Sequence, residues 1–122
     1  MTLKELYEKI DGNYEQAINV LRVEKLIDKH IRRICGNEVI TKLIEAKESL
    51  DPTALFEAGH ALKGVCGNLG LTTMAQYASD ISEEFRPGNE RKMSDEQVRE
   101  IIDQIEELYK KTCEAINEYQ GS

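Results

Sequence analysis

The sequence predicts an all-α fold, an antiparallel four-helix bundle with an additional short N-terminal helix or helices. Apolar residues recur three and four positions apart along most of the chain, only two prolines interrupt it, and no segment alternates apolar and polar residues as a half-buried strand would. Short connections between the amphipathic stretches favour antiparallel neighbours. The 122 residues suit one domain spanning 1–122, large enough to bury a core without disulfide staples.

Thr2 with Glu5 forms a capping-box pattern for a first helix carrying Leu3, Leu6 and Ile10, which Asp11-Gly12-Asn13 breaks. Asn13 can cap a second helix with Tyr14, Ala17, Ile18 and Leu21 on its apolar side, and a third helical stretch runs through Leu26, Ile27, Ile31 and Ile34 to a stop at Gly36. Asn37 then caps a helix bearing Val39, Ile40, Leu43, Ala46 and Leu50. Asp51 followed by Pro52 starts the next, since Asp caps well and Pro tolerates the first helical position; it should end near Gly70. A helix from Thr72 or Thr73 directs Met74, Tyr77, Ala78, Ile81 and Phe85 inward, and Arg86-Pro87-Gly88-Asn89 ends it in a loop to about Met93. Ser94 and Gln97 box the final helix, whose Val98, Ile101, Ile102, Ile105, Leu108, Tyr109, Thr112, Ile116 and Tyr119 would suit a bundle or coiled-coil partner.

Composition excludes several functions. A net charge of −7 without a concentrated basic face argues against nucleic-acid binding. Apolar runs are too short to span a membrane and no signal-peptide pattern opens the chain, so a cytoplasmic protein is expected. Cys35, Cys66 and Cys113 are odd in number and widely spaced, which fits small apolar residues in or beside a core better than disulfides or zinc. His30, in the basic stretch from Lys29 to Arg33, reads as a surface or boundary residue, and no Glu-x-x-His pair supports a metal centre. The acidic pairs Glu83-Glu84 and Glu106-Glu107 read as solvated helix faces, and no phosphate-cradling loop, dinucleotide fingerprint or serine elbow is present.

The informative stretch runs from His60 to Gly70. Wound at about 100° per residue, the helix places Phe56, Lys63, Gly64 and Gly67 all within roughly a sixth of a turn of His60. Leu55, Ala58, Leu62, Val65 and Leu69 cluster on the opposite side. His60 therefore faces away from the core, beside a cation and two positions without side chains. Each glycine costs roughly 1 kcal/mol relative to alanine in a helix interior. Gly64 and Gly67 clear space over the ring, whereas Gly59, at the edge of the apolar face, is expected to allow close helix packing.

The pattern His60-x-Leu62-Lys63-Gly64, with Gly70 six residues on, resembles the signature of histidine-containing phosphotransfer (HPt) domains, intermediates of multistep two-component phosphorelays. Asn68-Leu69-Gly70, the spacing of Met74, Ala78 and Ile81, Asp51 before the helix, and the segment from Gly12 to Leu21 extend the likeness over most of the chain. Gly59 departs from the family's common alanine and Ser82 from its frequent glutamate.

The resemblance implies that His60 accepts a phosphoryl group on a ring nitrogen, usually Nε2, from an aspartyl phosphate on a response-regulator receiver domain and passes it to another receiver. Free imidazole titrates near pH 6.5, so a histidine at cellular pH mostly offers a lone pair without an added base. Lys63 would offset the phosphoryl charge as a mobile cation, and Phe56, Gly64, Gly67 and Asn68 would form the docking surface. Phe56 could equally pack against the first helix. The expected protein is a monomeric carrier with no cofactor of its own and little catalysis, Mg²⁺ being supplied in the receiver's site; a hybrid histidine kinase is a further partner. Two other readings stay open: the dimerising module of a histidine kinase, disfavoured because an ATP-binding domain would normally follow and the chain ends at Ser122, and a helical adaptor or inhibitor that binds receivers or kinases without transferring phosphate.

Overall fold

A computed structural model describes residues 1–121, and among them it places seven helices: α1 (Leu3–Lys9), α2 (Tyr14–Leu21), α3 (Glu24–Ile31), α4 (Glu38–Ser49), α5 (Pro52–Asn68), α6 (Thr72–Glu84) and α7 (Asp95–Gly121). Most begin where a side chain can satisfy the first free amides. Thr2 and Glu5 bond reciprocally at α1, Asn13, Asn37 and Asp51 accept from the first turns of α2, α4 and α5, and Ser94 and Gln97 exchange bonds at the head of α7. Helices α4 to α7 form a ring, with α5 between α4 and α6, and α7 closing from α6 back to α4. The connections at 50–51 and 69–71 are so short that the helices they join run antiparallel. Ile40, Leu43, Leu55, Leu62, Ile81, Ile102 and Ile105 fill the centre, all fully buried. Among the described residues no helix is long and apolar enough to cross a membrane.

The N-terminal helices attach from outside the ring, α1 on α7, α2 on α5, and α3 on α7 where the Tyr119 hydroxyl donates to Asp28. Tyr7 joins them to the core: it is buried, and its hydroxyl donates to the Leu69 carbonyl at 2.6 Å, at the end of α5. That end closes with Gly70 in the left-handed region at φ +69°, where the Leu71 amide reaches the Cys66 carbonyl at 2.9 Å and the Gly70 amide the Gly67 carbonyl. A Cβ on Gly70 would sit 2.2 Å from the Asn13 carbonyl oxygen, and the Asn13 amide donates to the Gly70 carbonyl at 2.7 Å. The glycine thus ends one helix and seats the start of another.

Three expectations need correction. Helix α3 stops at Ile31, and residues 32–35 reach Gly36 through turns, although Ile34 remains buried. Leu26, expected on the apolar side, is exposed because α3 lies against only part of the bundle. Glu84 is not a solvated carboxylate. It is 7 % exposed and accepts from the amides of Lys92 and Met93 at 2.8 and 2.7 Å, with the Arg91 guanidinium at 3.3 Å, so it pins the loop between α6 and α7.

Burial pushes the Glu84 carboxyl up, but the Met93 and Lys92 amides and the Arg91 charge outweigh it and hold the group below the usual range. Because the folded pKa is depressed, the stability it contributes is present above the unfolded value of about 4.3 and lost as pH falls through the folded one. Glu84→Ala should lower unfolding free energy at pH 7 by about 2–3 kcal/mol and weaken its acid dependence, as measured by urea unfolding at pH 7 and at acid pH. Gly70→Ala, strained in φ and obstructed by Asn13, should destabilise by about 2 kcal/mol or more in the same assay.

Candidate functional site

Helix α5 turns its core face slightly further than its apolar periodicity suggests. Leu55, Gly59, Leu62 and Cys66 are buried, while Ala58 and Val65 are half-buried, so the inward direction is rotated from the middle of the apolar stripe toward Gly59. Gly59 is the reason. A Cβ there would lie 3.0 Å from the Ala78 carbonyl oxygen and 3.1 Å from the Ser82 nitrogen, so α5 and α6 touch backbone to backbone. His60, Lys63 and Gly64 stay exposed on the far side.

The ring of His60 stacks on Phe56 one turn earlier, with centroids 5.8 Å apart and planes 22° from parallel. The Arg86 guanidinium stands 5.6 Å from the Phe56 centroid and pairs with Glu83 at 2.7 Å. Phe56 therefore belongs to the His60 surface and not to a contact with α1, whose Tyr7 reaches α5 at Leu69, about 20 Å further along the helix. The Arg86 bond, against partial burial, holds the Glu83 carboxyl below the usual carboxylate range, and the charges of Arg86, Lys63 and His60 add to this. Glu83, Arg86 and Lys63 thus share the surface that carries Phe56 and His60.

Neither Glu83 nor Arg86 was among the residues expected at the site. Their signal lies in the hairpin: folding the chain back at Gly70 sets residues equally distant on either side opposite one another, which brings the region near 84 against Phe56. The glycines differ in their surroundings. A Cβ on Gly64 or Gly67 would meet nothing within 4 Å, so both positions are open to an approaching molecule. Gly67 also has α2 beside it, because Gln16 Nε2 donates to its carbonyl at 2.8 Å. Asn68 is exposed but not brought to the ring; it lies two turns on, about 12 Å along the axis. There it borders a cleft of about 260 Å³ with Leu21, His30, Arg33, Ile34 and Asn37. His30 is an exposed boundary residue, and Cys66 is buried in the core, its thiol pushed up to about 12 by burial. Among the described residues no group of three or more His, Cys, Asp or Glu is placed to hold a metal ion.

Comparison with known families finds a match to the family model described as the Hpt domain, over residues 22–112. Neither the curated proteins nor the solved structures yield a significant match.

Replacing Arg86 tests the pairing that closes the site on the α6 side. In Arg86→Ala the Glu83 carboxyl should titrate closer to its ordinary range, followed by carboxyl-carbon NMR; an unchanged titration would show that Arg86 is not its main partner.

Proposed function

The chain belongs to the Hpt domain family, the phosphotransfer domains of two-component signalling, and on that premise we propose that it is a phosphorelay carrier whose phosphoacceptor is His60. The observation that carries this reading is an imidazole held outward on α5 by its stack on Phe56, with Lys63 and Arg86 on the same surface. A lone pair on a ring nitrogen, Nε2 by family resemblance, attacks the phosphorus of a receiver's aspartyl phosphate. The N–P bond forms as the P–O bond to the aspartate breaks, and the carboxylate leaves with the bonding electrons. A second receiver reverses the step with its own aspartate.

The stack limits rotation of the ring, so less orientational freedom is lost when the partner docks. Lys63 follows the phosphoryl charge as a flexible cation, whereas Arg86 is already oriented by Phe56 and Glu83. Pairing with Arg86 also offsets the negative charge that Glu83 would otherwise present to the phosphate. Mg²⁺ and the in-line alignment of donor and acceptor come from the receiver, and this chain supplies the nucleophile, the cations and the docking face. Phe56 and Gly64 form the part of that face nearest the ring, and Gly67 and Asn68 continue it toward α2 and α3.

Incubation with a phosphorylated receiver domain and Mg²⁺ should place acid-labile, alkali-stable phosphate on the chain, and His60→Gln should abolish it. Lys63→Ala should slow transfer about tenfold, the loss of roughly 1.4 kcal/mol of charge stabilisation. No label from several competent receivers would favour a non-transferring adaptor, and label retained in His60→Gln would refute His60 as the acceptor.

A further inference from the structure

Cys35 lies in the turn after α3 and Cys113 in α7, far apart in sequence. The fold joins them through their neighbours. The Gly36 amide donates to the Tyr109 hydroxyl oxygen at 2.7 Å, which fixes the turn against α7. Cys113 stands four residues beyond Tyr109, one turn along the same face, which brings it beside the turn that carries Cys35. Both are half-buried, whereas Cys66 is enclosed in the core. We propose that Cys35 and Cys113 are an oxidisable pair, closing to an intramolecular disulfide that staples the turn after α3 to α7 when the protein meets a hydroperoxide.

Burial pushes the Cys113 thiol up to about 12, so Cys113 is not the thiol that meets the oxidant. Cys35, in the turn outside the helices, is the thiol that meets the oxidant. Its sulfur attacks one peroxide oxygen, the O–O bond breaks, and the other oxygen leaves with a proton as alcohol or water, so that Cys35 becomes a sulfenic acid. The Cys113 sulfur then attacks that sulfur; the S–S bond forms, the S–O bond breaks, and hydroxide departs as water with the Cys113 proton. The two thiols together lose two electrons, the peroxide gains them, and a dithiol reductant restores the pair. The turn after α3, held to α7 by the Gly36–Tyr109 bond and near the Tyr119–Asp28 bond, would gain a covalent tie there, and the loop so closed is long enough for that tie to resist unfolding.

The test treats the full chain with hydrogen peroxide, alkylates free thiols and maps unreduced peptides by mass spectrometry. The expected product is a monomer in which the Cys35 and Cys113 peptides are joined and Cys66 is alkylated. Its urea midpoint should be higher than that of the reduced chain and return on treatment with dithiothreitol. Cys35→Ser and Cys113→Ser should each lose the cross-link and the shift. Both thiols still alkylatable after peroxide, sulfinic acid as the end product, or disulfides between chains or with Cys66 would overturn the proposal.

Discussion

The arrangement of the bundle rests on one contact, the backbone approach of α5 to α6 at Gly59. With the Ala78 carbonyl and Ser82 nitrogen about 3 Å from where a Cβ would stand, a side chain there would press the α6 backbone back by a few tenths of an ångström. The closeness sets the rotation of α5, and the next residue, His60, is carried about 100° round to the solvent side. It also brings the end of α6 against that side, where Arg86 meets Phe56. The two departures from the family pattern, Gly59 and Ser82, meet at this contact. Ser82 is buried with its hydroxyl unpartnered, a place where a carboxylate would be costly; the acid that faces the site is its neighbour, Glu83.

Three glycines of the same region answer to three constraints. Gly59 is required by a neighbouring backbone, and Gly70 by a left-handed turn that also seats Asn13. Gly64 is required by neither, since a methyl group there would meet open space. A glycine in a helix interior sacrifices about 1 kcal/mol, and among the described residues no neighbour within 4 Å calls for it. On the proposed carrier reading the compensation lies outside the chain, in the receiver that would come close to His60.

Local chemistry was legible in the sequence, and tertiary consequences were less so. Thr2, Asn13, Asn37, Asp51 and Ser94 cap as their spacing indicates because a cap acts within one turn. The break between α2 and α3 carries no such signal: Arg22 takes φ +74° without a glycine or proline to announce it. Tyr7 and Glu84 depend on where distant segments fold, Tyr7 on the end of α5 and Glu84 on the loop before α7. The Arg86 side of the site emerges only when α6 is laid back along α5, and the Cys35–Cys113 pair only when α7 crosses the turn after α3.

The central claim is that α5 presents a reactive ring whose surroundings are shaped for a macromolecular partner, and its most direct test separates ring reactivity from partner access. Gly64→Val and the parent chain would be labelled in parallel with phosphoramidate, a small donor that phosphorylates imidazole directly, and with a phosphorylated receiver domain. Similar labelling of His60 by phosphoramidate, with transfer from the receiver strongly slowed in the variant, is the result this account predicts. Equal rates from the receiver would contradict it, because the cleared space above His60 would then have no bearing on the partner.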